Sequence, residues 1–145
     1  MIRVITVTQI KSFAAIQQQV PALLIKVLSL RKPAVVNVVF LSAVKARELN
    51  WQLRRRRYVP DVLSLNFSTY AQLNPKKVVP FLGELYICWP QVQKQAKANK
   101  RLPSQELAWV FLHGLLHLLG YDHEREMAGK IMRTLEQKIL TQLSV

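Results

Sequence analysis

The sequence predicts an α+β fold in which a small mixed sheet of about four strands packs against helices. Two observations predict it. Short stretches rich in β-branched residues are interspersed with longer ones whose apolar residues recur every three or four positions. The last third of the chain then reads as helix throughout, so helices there must cover the sheet.

Residues 2–7, IRVITV, alternate and are β-branched, which favours a first strand. From about Gln9 to Leu30 the residues Phe13, Ile16, Val20, Leu23, Val27 and Leu30 follow the period of an amphipathic helix, with Pro21 as the place where it would break or restart. Residues 34–41, AVVNVVFL, are a dense apolar run suited to a buried central strand. A short helix follows to about Asn50. Residues 51–60, WQLRRRRYVP, read as a charged loop, because four consecutive arginines repel one another and Pro60 ends any helix. DVLSLNF alternates as a third strand, and after a polar connection through Asn74-Pro75-Lys76-Lys77 comes a fourth, LGELYICW. Helix resumes from Gln91 to Lys100. Ser104, after Pro103, is a candidate cap for the next helix, and Glu106 in its first turn complements the helix dipole. From Leu107 to Leu119 this helix is apolar nearly all round, so it is expected to be buried on most sides, and Gly120 supplies the left-handed residue that stops it. A final helix from about Glu124 carries Met127, Ile131, Leu135 and Ile139 on one face.

A chain of 145 residues, half of them hydrophobic, is expected to fold as one domain over residues 1–145 around a single core. The unusual bulk property is charge: 21 Lys plus Arg stand against 8 Asp plus Glu, a formal net charge of +13. An excess of this size attracts phosphate backbones and releases their counterions, which points to nucleic acid as a partner. Cys88 has no second cysteine to pair with, which fits a reducing cytoplasm rather than a disulfide scaffold. No signal peptide and no membrane span is read, so no membrane partner is expected.

All three histidines fall within the eleven residues HGLLHLLGYDH. His113 and His117 are four apart on a helix, so their rings leave one face about 5–6 Å apart at Cβ, a spacing that suits two ligands of one ion. A reversal after Gly120 can bring His123 to the same ion, placing a metal site at the end of the buried helix. Three protein ligands leave zinc's fourth position open, as in catalytic rather than structural sites. One divalent ion, Zn2+ first, is the expected cofactor. Asp122 and Glu124 are candidates for ordering a histidine's second ring nitrogen. Cys88 as a fourth ligand would close the site, although a strand cysteine is more often a buried hydrophobe. Gly114 stands where the His-Glu-x-x-His metalloproteases carry their general base, which disfavours that class.

His113-Gly114-Leu115-Leu116-His117 followed by Leu119-Gly120-Tyr121-Asp122-His123, together with Leu49-Asn50 through Arg54 to Asp61-Val62-Leu63-Ser64, resembles the YbeY family of bacterial ribosomal RNA maturation factors. Leu82-Gly83-Glu84-Leu85-Tyr86-Ile87-Cys88 is similar too, and only the first thirty or so residues lack a distinctive match. The resemblance implies a zinc-like ion on His113, His117 and His123, with Arg54 as the functional arginine of the cleft. It also implies an endoribonuclease that cuts single-stranded RNA in maturing the 3′ end of 16S ribosomal RNA and in surveillance of the small ribosomal subunit. Arg55, Arg56 and Arg57 are then backbone contacts, as are Lys76 and Lys77, and Lys94, Lys97, Lys100 and Arg101 would extend the basic track. Trp51, Tyr58 and Phe67 are candidates for stacking on bases. The chain departs from the family at Pro60, where Thr is usual, at Leu65-Asn66 for Phe-Pro, and at Glu84 for Asp. The residues offer no separate general base. The alternative reading, a non-catalytic RNA-binding assembly factor with a structural metal, keeps the same features. A hydrolase of small molecules or peptides leaves the charge unexplained.

Overall fold

In the computed structural model of the chain, residues 1–7, 10–66, 81–121 and 125–144 are described. The elements run β1 (Ile2–Ile5), α1 (Lys11–Leu28), β2 (Ala34–Leu41), α2 (Ala43–Arg54), β3 (Val62–Asn66), β4 (Phe81–Cys88), α3 (Trp89–Ala98), α4 (Pro103–Leu118) and α5 (Glu126–Leu140). The strands form one sheet in the order β1-β2-β4-β3, parallel from β1 through β4 and antiparallel between β4 and β3. This is the mixed α+β architecture that the alternation of patterns predicts. No helix among the described residues is long and apolar enough to cross a membrane.

The core is built around α4. Leu107, Val110, Phe111, Leu112, Leu115, Leu116 and Leu118 are all buried, as a helix apolar on every side requires. Phe13 of α1 meets Phe111 edge to face at 5.0 Å and Phe40 of β2 at 5.1 Å, so α1, α4 and the sheet interlock at one residue. Each such pair contributes about 0.5–1.5 kcal/mol beyond its buried area. Gly114 brings α4 close to the sheet, since a Cβ there would stand 2.8 Å from Leu85 Cδ2. A larger side chain at 114 would have to displace Leu85 of β4.

Four expectations are corrected. Helix α1 runs unbroken through the buried Pro21. The cost of an interior proline, about 3 kcal/mol, is offset by burying Val20 and Leu24 beside it, at about 1.5–3 kcal/mol each. Helix α2 continues past Asn50 to Arg54, because cations in a last turn meet the negative end of the helix dipole. Ser104 does not cap α4. The helix starts at Pro103, and the Gln105 side chain accepts a hydrogen bond from the Leu102 N–H at 3.1 Å. Finally, α5 buries Gly129, Met132, Glu136 and Ile139, leaving Met127 and Ile131 exposed. The stripe that packs is set by what α4 offers it, and α4 offers Glu136 two hydrogen-bond donors.

Candidate active site

The four-residue period of α4 places Trp109, His113 and His117 one above another on the side of the helix that is only part-buried. Trp109 stacks on His113 with ring centroids 5.2 Å apart and planes at 29°. The two imidazoles meet at 77° with centroids 4.7 Å apart, and their Nε2 atoms lie 3.2 Å from each other. Two nitrogens bound to one tetrahedral zinc at 2.0–2.1 Å would stand roughly 3.3–3.4 Å apart. The observed 3.2 Å is within about 0.2 Å of that separation, so the pair fits a shared metal ion. The helix stops just beyond as Gly120 takes φ +99°, the left-handed residue expected there, with Tyr121 N–H bonded to Leu116 O at 3.0 Å. His123, Asp122 and Glu124 lie outside the described residues.

Glu136 holds the upper ring in place. Its Oε1 lies 2.8 Å from His113 Nδ1, and its Oε2 accepts the Trp109 indole N–H at 3.2 Å. A carboxylate accepts, so Nδ1 is the protonated nitrogen and Nε2 presents its lone pair toward His117. Glu136 is only 5% exposed, and its two partners are what make that burial tolerable. Residue-level reading missed both Glu136 and Trp109. Trp109 was legible as the next residue up the same stripe, whereas Glu136 lies off the apolar face read for α5 and gave no signal.

These histidines form one wall of a cleft of about 920 Å³, whose other walls include Arg54 and Arg56, the loop from Tyr58 to Asp61, Val62 and Ser64 of the edge strand β3, and Gln91 and Gln95 of α3. The loop is shaped by Asn50, whose buried amide donates to Tyr58 O at 2.9 Å, and by Asp61. Asp61 accepts the Val62 N–H at 2.7 Å and the Gln95 amide at 3.1 Å, so both of its oxygens are engaged in holding the wall. Among the described residues neither Arg54 nor Arg56 is paired with a carboxylate, so both cations remain available to an anion in the cleft.

The arginine run does not act as one unit. Arg54 ends α2 and Arg55 takes φ +56°, which turns the chain, so that Arg54 and Arg56 line the cleft. Arg55 and Arg57 instead lie over the Trp51 ring, at 5.4 and 4.9 Å from its centroid. Neither of these two lines the cleft. Lys94, Lys97 and Lys100 are exposed and do not line the cleft, while Arg101 pairs with the buried Glu106 at 3.5 Å. Tyr58 lines the cleft; Phe67, Lys76 and Lys77 lie outside the described residues.

Cys88 is a buried thiol at the end of β4 and does not line the cleft, so it is no fourth ligand. Burial pushes its pKa up, opposed by the Gln91 N–H and reinforced by the charge of Asp61. Of the departures from the resembled pattern, only Pro60 lines the cleft. Asn66 donates to Leu118 O at 3.2 Å and so satisfies a last-turn carbonyl of α4, and Glu84 accepts the Tyr86 hydroxyl at 3.1 Å.

A family model described as Endoribonuclease YbeY matches residues 4–144. The chain belongs to the YbeY family. Among relatives named Endoribonuclease YbeY, that of Ureaplasma urealyticum is 39% identical over 106 residues, 73% of this chain and 65% of the relative. That of Thermodesulfovibrio yellowstonii is 40% identical over 119 residues, 80% and 72% of the two chains. That of Aster yellows witches'-broom phytoplasma is 35% identical over 127 residues, 86% and 84%. The chain thus spans about 65% of the length of the first curated relatives it matches. A solution structure of a Thermotoga maritima protein superposes with a TM-score of 0.62 at 27% identity, covering 97% of this chain and 87% of that one. The YbeY match takes in part of β1 and all of every later element, α1 included, although the first thirty or so residues were expected to lack a distinctive match.

Proposed function

We propose that this YbeY-family chain is a metal-dependent endoribonuclease of a single domain, residues 1–145, that cuts single-stranded RNA in the cytoplasm. Its target is ribosomal RNA of the small ribosomal subunit, at the 3′ end of 16S ribosomal RNA, in maturation and quality control. The observation that carries this reading is the pair of imidazole nitrogens 3.2 Å apart in a cleft that also holds the uncommitted Arg54 and Arg56. The relatives named Endoribonuclease YbeY support it.

His113 and His117 would hold the ion, with His123 as third ligand. When bound, a divalent ion, Zn2+ first, supplies Lewis acidity toward a phosphoryl oxygen and lowers the pKa of water. The chain's own residues do the rest. Glu136 and Trp109 keep His113 in one tautomer and one orientation. Arg54, as a fork of donors on the last turn of α2, binds the scissile phosphate and steadies the charge that develops on it, with Arg56 beside it. Lys76 and Lys77 add contacts to the RNA backbone.

The test is cleavage of a labelled single-stranded RNA by the wild type and by His117→Ala, purified in parallel, with the melting of the variant checked. Only the wild type should cut, and a chelator should stop it. Cleavage by both alike, or by neither, would sink the nuclease reading and leave an RNA-binding assembly factor. The chemical ends of the products identify the nucleophile: a 2′,3′-cyclic phosphate means the ribose hydroxyl, not water.

A further inference from the structure

The division of the arginine run leaves two cations that the cleft does not use. Arg55 and Arg57 sit over the indole of Trp51, which is itself 39% exposed on α2. Among the described residues neither is ion-paired to a carboxylate, unlike Arg101. Two guanidinium groups near one indole, neither neutralised by a carboxylate among the described residues, attract an anion. Arg55 also occupies a left-handed position, φ +56°, where glycine costs less.

Beside this cluster is a hollow of about 540 Å³ lined by Val44, Arg47, Glu48, Trp51 and Arg57. The apolar wall and the indole suit a flat heterocycle, Glu48 can accept from an exocyclic amine or imino group, and the arginines suit a phosphate. Base and phosphate together describe one nucleotide of a single strand. Arg56 lines the cleft and Arg57 lines the hollow, so successive residues join the two places.

We propose that the hollow lined by Trp51 and Arg57, with Arg55 over the same indole, is a second RNA subsite, holding a nucleotide that flanks the one in the cleft. The proposal rests on the reading of the cleft as an RNA site, and its test measures binding without cleavage, so that loss of the nuclease reading is seen separately. In chelator, the affinity of fluorescently labelled oligouridylates of about three and about twelve nucleotides is compared for wild type, Arg55→Gly, Trp51→Ala and Trp51→Phe. Arg55→Gly relieves the left-handed strain, so it should melt at or above the wild-type temperature. It and Trp51→Ala should bind the long strand roughly five- to a hundredfold more weakly, with Trp51→Phe near wild type and the short strand, which the cleft alone accommodates, unchanged. Unchanged affinity of the long strand would overturn the proposal and point to a protein surface. Equal loss for both lengths would overturn it too, placing these arginines in the cleft. A nuclease-dead protein that still loses long-strand affinity on Trp51→Ala would keep the subsite while removing the enzyme.

Discussion

Glu136 is the residue through which the site is made rigid. Its carboxylate is buried for the sake of two donors, Trp109 and His113, and through His113 Nδ1 it fixes which ring nitrogen faces His117. Glu136→Gln keeps the shape but puts an amide NH2 donor where one acceptor stood. Affinity for Zn2+, read by competition with a chromophoric chelator, should fall by about 10–100-fold while the fold persists. An unchanged affinity would make Glu136 a packing residue only. Cys88 gives a second prediction at this scale. Its pKa is raised in the fold by burial, so the folded chain keeps a proton that the unfolded chain releases near the ordinary 9.0. Fewer protons on the unfolded state means stability that falls as pH rises from about there. Cys88→Ala should flatten that alkaline decline in melting temperature, and alkylation of the native thiol at neutral pH should be far slower than in denaturant.

At the scale of elements, the cleft depends on how β3, β4 and α4 approach one another. Gly83 of β4 takes φ +148°, and a Cβ there would stand 2.0 Å from Leu65 O of β3 and 2.9 Å from Leu118 Cδ2 at the end of α4. The backbone oxygen cannot yield as a side chain does. Gly83→Ala should therefore cost about 2–4 kcal/mol in denaturant unfolding and loosen the wall bearing Ser64. Gly120→Ala should cost only about 1 kcal/mol, since nothing stands within 4 Å of its added Cβ and only the left-handed backbone, φ +99°, resists it. Near-equal losses at the two glycines would refute the argument from close approach. The same elements show what periodicity conveys. The run AVVNVVFL became β2 at Ala34–Leu41, and the all-apolar helix became the buried α4. The limit of α2 was misread because its last turn is made of charges, whose repulsion in water is small beside a favourable helix end.

Across the whole molecule, a net charge of +13 means that the proposed RNA binding should proceed by counterion release. If Arg54 and Arg56 in the cleft and Arg55 and Arg57 over Trp51 each meet a phosphate, the double-logarithmic slope of single-strand affinity against salt should be about −3. Arg55→Gly should make it shallower by about 0.7, and a slope near zero would exclude phosphate recognition altogether. The sequence alone determined the fold class, the buried helix, the pairing of His113 with His117 and the strong positive charge, because each follows from spacing along one element or from composition. Only the tertiary structure decided that Glu136 meets His113 across 23 positions, and that Arg54 and Arg56 enter the cleft while Arg55 and Arg57 turn to Trp51. The first depends on how two helices pack and the second on one left-handed residue at a helix end. Neither leaves a period in the chain to be read.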